Sequence, residues 1–220
     1  MIIVLLRRLK VNETVEVDDV VVSAHHKDDE GAKIGMWLFL LTELLLFGGL
    51  FVIYGVYRFM NSDAFHIAAI ELNTTIGAFN TIILLTSSLT MAMSITALRK
   101  GQKYFSLLLL GTTIFFAFVF LVNKYFEWAA KFHHGTFPGS DDLTSRPPGE
   151  VLYFGLYYTM TGLHGLHVIV GIVILTIIFI LVVKDKVNKD NFIKLENSGL
   201  YWHLVDIIWI FLFPLFYLIK

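Results

Sequence analysis

The chain has 220 residues, 56% of them hydrophobic and only 16% charged, with a formal net charge of −1 and no cysteine. Soluble globular domains carry about 25% charged residues, so this composition belongs to a protein whose main solvent is lipid. Near-neutrality argues against a nucleic acid or other polyanion as partner. The missing thiols exclude disulfides, thiolate metal sites, cysteine-held iron–sulfur clusters and haem attached through cysteine.

In chain order, residues 1–33 read as a mostly polar tail with a short apolar start, lying on the membrane surface. Its basic residues Arg7, Arg8 and Lys10 follow the apolar run, whereas a cleaved signal carries them before it. Residues 34–220 read as the membrane domain. Spanning roughly 30 Å of hydrocarbon takes about 20 apolar residues in a helix, and five stretches are long enough: 34–59, 73–98, 104–122 (extendable to 128), 151–183 and 200–219. Each is a continuous apolar run rather than an alternating pattern, which predicts an all-α, polytopic transmembrane bundle and not a barrel. The fourth run exceeds what a bilayer demands, so it must tilt or project. Arg99-Lys100-Gly101-Gln102-Lys103 is a tight turn that makes spans two and three an antiparallel hairpin, and the proline-containing segment 132–150 reads as irregular. The basic residues of the second and fourth loops, among them Arg99, Lys100, Lys103, Lys184, Lys186 and Lys189, place the N-terminus in the cytoplasm and the C-terminus outside.

Polar groups inside these spans are the candidate functional residues, because an ionisable side chain at bilayer depth costs about 2.5–3.5 kcal/mol even on insertion scales. Glu43 lies about nine residues into the first span and must pair with a neighbour or hold a proton; it reads either as a proton-relay or lipid-contact group, or as interhelical glue. His164 and His167 share a helix face, as do His203 and Asp206, which are spaced to pair. The histidines read as packing residues, with Gly162 and Gly165 admitting a neighbouring backbone, or as axial ligands of a haem held by His164 or His167 with His203. Lys124 and Glu127 read as an interfacial ion pair in an aromatic belt. Asn80, Thr86, Ser87 and Ser88 are suited to helix packing, and His25, His26, His133 and His134 lie in polar segments and read as solvated. No nucleophile–base set, phosphate loop or zinc motif is present.

At these residues the chain resembles subunit III of cytochrome c oxidase, in the haem–copper oxygen reductase family. The matching motifs are Gly35-Met36-Trp37-Leu38-Phe39-Leu40-Leu41-Thr42-Glu43, Phe79-Asn80-Thr81 in part, Tyr125-Phe126-Glu127, the histidine–glycine run from Gly162 to Gly171, and Tyr201-Trp202-His203-Leu204-Val205-Asp206-Ile207-Ile208-Trp209. The resemblance is to the five-helix bacterial form. It implies a multi-pass plasma-membrane subunit with no metal and no catalytic residue of its own. Haem and copper would sit in the partner subunits I and II, and bound phospholipid would lie near Glu43. Its function would be to stabilise the catalytic subunit and support proton uptake while electrons pass from cytochrome c to oxygen. A subunit of a quinol oxidase, or of nitric oxide reductase, would share these motifs. An independent haem-binding carrier or proton channel would use the same histidines and carboxylates differently.

Overall fold

In a computed structural model, residues 30–133 and 135–219 are described. The expected surface tail, apart from its last residues, lies outside them, as do His25, His26 and His134. All regular structure among the described residues is helical. Helix α1 is described over Glu30–Met60. It is followed by α2 (Ser62–Ile70), α3 (Thr74–Arg99), α4 (Lys103–His133), α5 (Asp141–Thr144), α6 (Pro148–Val183) and α7 (Ile193–Phe213), which continues as a π-helical turn, Pro214–Leu218. Five of these helical stretches are long and apolar enough to cross a membrane. The described chain divides into two units, with the boundary inside α1 between Thr42 and Glu43; the packing below belongs to the unit Glu43–Lys220.

Local chemistry sets the ends of the elements. Asn73 caps α3, its side-chain oxygen accepting from the amides of Thr75 (3.0 Å) and Ile76 (3.3 Å), which would otherwise lack partners in the first turn. The α3–α4 turn is as tight as its sequence demands. Gly101 takes φ = 75°, and the amides of Gly101 and Gln102 close onto the carbonyls of Leu98 and Ala97, both at 2.9 Å. Helix α6 starts at Pro148, where a missing amide proton is harmless. Its 36 residues would extend ~54 Å, well beyond the hydrocarbon. Two elements escape the hydropathy reading. The short α2 and the single turn α5, capped by Ser140, lie in connections where no membrane-length run announces them.

The interior of the bundle is sealed by large rings and small hydroxyls. Trp202 and Trp209 of α7 are fully buried, and their indole protons go to Ser87 Oγ (3.0 Å) and Thr81 Oγ1 (3.1 Å) on α3. Thr90 bonds Thr113 at 2.8 Å and Ser94 bonds Ser106 at 3.0 Å along the α3–α4 seam. Where lipid replaces water there is little hydrophobic drive between helices, so such contacts and close packing do the joining. The closest approach differs from the expectation. Gly165 faces open space among the described residues and Gly162 meets only the Trp128 ring, at 3.3 Å; Gly171 instead lies against Trp202 and Tyr201, where a methyl group would come within 2.7 Å of the indole. The histidine motif's glycines thus include one that matters for the α6–α7 contact, but it is the last of them. Gly171→Ala is expected to cost about 1–3 kcal/mol through overpacking, while Gly165→Ala stays neutral; thermal unfolding of the two variants in detergent compares them.

Candidate functional site

The polar residues of the spans gather into three clusters. In the first, Glu43 of α1 meets His167 of α6, Oε2 to Nε2 at 2.9 Å, with both side chains largely covered. The other ring nitrogen, Nδ1, lies 2.8 Å from the Leu163 carbonyl. A carbonyl can only accept, so Nδ1 carries hydrogen. The Nε2–Oε2 contact then needs one more proton, on the imidazole or on the carboxyl, and in either case the pair is neutral overall. The Phe47 ring stands edge-on to the imidazole at 5.3 Å, and the Tyr201 hydroxyl donates to the His167 carbonyl at 3.0 Å. Glu43 therefore pairs across helices with His167, a partner that spacing along one helix could not reveal.

The second cluster is centred on Lys124. Its ammonium donates to Glu127 Oε2 (2.9 Å), Tyr157 OH (3.1 Å) and Tyr217 OH (3.1 Å), which uses all three of its protons. Both phenols donate in turn to Glu127 Oε1, at 2.7 and 2.6 Å. The network is closed and joins α4, α6 and the π-helical turn. Lys124 is 8% and Glu127 7% exposed, so the ions sit inside the bundle. Tyr157 and Tyr217 escaped the sequence reading. The usable signal was valence, since an ammonium buried beside one carboxylate still needs two further acceptors.

The third cluster overturns a pairing. His203 and Asp206 share a face of α7, but the His203 Nδ1 bonds Ser88 Oγ of α3 at 2.7 Å instead. Asp206 is 2% exposed, and neither of its carboxyl oxygens makes a well-formed hydrogen bond among the described residues, although the Ser88 hydroxyl lies beside it. The i, i+3 spacing allowed the pair; a hydroxyl on the facing helix competed successfully for the imidazole. His164 is likewise not joined to His167. It is fully buried as a ring, 5.5 Å from Phe120 edge-on and 5.3 Å from Trp209, with neither nitrogen hydrogen-bonded among the described residues.

Outside the spans, Arg146 bridges Glu71 (2.5 Å) and Glu150 (3.3 Å) where α2, α5 and α6 meet. Partial desolvation works against the guanidinium charge, and the bonds and charges of the two carboxylates outweigh it, raising its pKa further above the ordinary value. No group of three or more histidine, aspartate or glutamate side chains is placed to hold a metal ion among the described residues.

Five apolar helices sealed by polar contacts at depth define a polytopic helical membrane protein. The family model for cytochrome c oxidase subunit III matches residues 2–220, and the chain belongs to that family. It is 32% identical to a probable quinol oxidase subunit 3 of Staphylococcus saprophyticus, over 85% of this chain and 88% of that one. It is also 32% identical to cytochrome c oxidase subunit 3 of Bacillus subtilis, over 84% of each. A haem–copper oxidase subunit I+III of Aeropyrum pernix is 30% identical over 85% of this chain, which there spans only 22% of the relative's length.

Removing one member of a buried ion pair leaves the other uncompensated, at a cost of about 3–5 kcal/mol. Glu127→Leu alone is therefore expected to lower thermal stability by that order, and Lys124→Leu/Glu127→Leu together by clearly less. A double-variant loss equal to the sum of the Lys124→Leu and Glu127→Leu losses, measured in one detergent, would show that the ions do not act as a unit.

Proposed function

We propose that this chain is the non-redox third subunit of a haem–copper terminal oxidase in a bacterial plasma membrane, that it packs against subunits I and II and stabilises the catalytic subunit, and that it supports proton uptake during proton-pumping turnover. Its N-terminal side faces the cytoplasm, in keeping with the basic second and fourth loops. A relative named as subunit I and III in one chain supports a direct neighbour relation with the catalytic subunit. The electron donor, cytochrome c or a quinol, is selected in the partner subunits, in keeping with relatives named for both.

The observation that carries the reading is the Glu43–His167 contact. A proton held between two titratable groups of one neutral pair can move to either without placing net charge in lipid. That suits a group that stores and returns protons beside a redox machine better than a fixed ion pair would. His164, His203 and Asp206 serve as packing residues in the same reading: His164 lies among rings, and His203 is held by a serine.

Purification of the tagged chain in mild detergent is expected to bring down a larger many-helix partner with haem and copper absorbance; recovery of the chain alone with a haem spectrum of its own would overturn the proposal. Glu43→Gln keeps a hydrogen bond to His167 but cannot exchange the proton. It is expected to leave the assembly intact and to slow proton uptake during turnover several-fold. A variant with the wild-type rate of proton uptake would reduce Glu43 to a packing residue.

A further inference from the structure

A groove of about 540 Å³ lies beside the Lys124 network, at the end of the bundle where α3 begins and α4 finishes; Glu71, Asn73, Thr75, Phe79, Glu127 and Lys131 are among the residues lining it. Its outer wall is apolar and exposed, with Phe79 56% and Phe126 65% exposed. Its inner end holds Lys131, a lysine 9% exposed. The Lys131 ammonium stands over the rings of Phe154 (5.5 Å) and Tyr157 (5.4 Å), and no carboxylate among the described residues lies within ion-pair distance of it. Two ring faces are weak compensation for a covered cation. Helix α4 has 31 residues, ~46 Å of helix against about 30 Å of hydrocarbon, so its last turn, with Lys131, reaches head-group depth.

Charge decides which head group fits. Among the described residues, the ion pairs and charge interactions here join Lys124, Lys131 and Arg146 with Glu71, Glu127 and Glu150, formal charges that sum to zero. An added net charge would be poorly screened here, whereas a zwitterion preserves the balance. We propose that the groove binds one zwitterionic aminophospholipid: its phosphodiester accepts from Lys131, its ammonium faces the Glu71 carboxylate on the rim, and an acyl chain follows Ile76, Phe79 and Phe126 toward the membrane interior. The site lies on the seam of α3 and α4, away from Glu43, and does not depend on the function proposed above.

The test uses the full chain purified with its partners, stripped of lipid by detergent exchange. Phosphatidylethanolamine, phosphatidylglycerol and inorganic phosphate are then added back in separate arms, with native mass spectrometry and thermal unfolding as readouts. Phosphatidylethanolamine is expected to add one tightly held lipid and to raise the unfolding temperature, while the other two do neither. Lys131→Gln loses both effects and Lys131→Arg keeps them. Thr75→Trp, which fills the groove from its exposed rim without touching a charge, also loses both and serves where Lys131→Gln fails to fold. Equal binding of phosphatidylglycerol overturns the zwitterion assignment. A shift with inorganic phosphate alone, or lipid retained as in wild type by Thr75→Trp, overturns the site.

Discussion

In hydrocarbon a polar side chain has no water to return to, and this constraint organises the whole bundle. Each ionisable or hydrogen-bonding group at depth must find its partner on a facing helix, and each such partner fixes how two helices lie against one another. Lys124 shows this most fully. Its three protons and the two phenol protons have five acceptor contacts among them, drawn from α4, α6 and the π-helical turn. The geometry of three elements is thus set by one ammonium.

The π-helical turn follows from the same constraint. Pro214 cannot donate an amide proton, so the backbone ladder of α7 is interrupted there. The carbonyls of the last turn, as at any helix end, have no backbone donor ahead of them. Instead Tyr54 donates to Leu215, Tyr153 to Phe216 (2.8 Å) and Thr74 to Tyr217 (3.2 Å), which ties α1, α6 and α3 to the chain's last turn. The turn in its place presents Tyr217 to Lys124, so a break in the helix and the closure of the charged network are one event. Gly77 is part of it: a methyl group there would meet the rings of Phe213 and Tyr217 at 2.8 Å.

The three buried clusters differ in how completely they are satisfied. The Lys124 network is closed, with every donor used, and serves as a rivet. The Glu43–His167 pair holds one proton that either partner can carry, at a largely covered site that connects α1 to α6. Among the described residues Asp206 finds no well-formed bond for either oxygen, with one serine hydroxyl beside it that also serves His203. Lys131 is a covered cation that stands over two aromatic rings, with no carboxylate among the described residues within ion-pair distance.

Hydropathy and length alone determined that this is a helical membrane protein, how many times it crosses, and that the second and third spans form a hairpin. Burial of apolar surface in lipid is additive along the chain, so these properties need no knowledge of neighbours. The motif residues Glu43, His164, His167, His203 and Asp206 were also legible as polar groups out of place in lipid. Which of them meet was not. Spacing along one helix suggested His203 with Asp206, whereas Ser88 on the facing helix took the imidazole. His167 was spaced to stand with His164, yet it turned to Glu43, 124 positions away in sequence. Partner choice, the closed phenol network and the groove at Lys131 come from side chains brought together across helices, and only the packed structure supplies those distances.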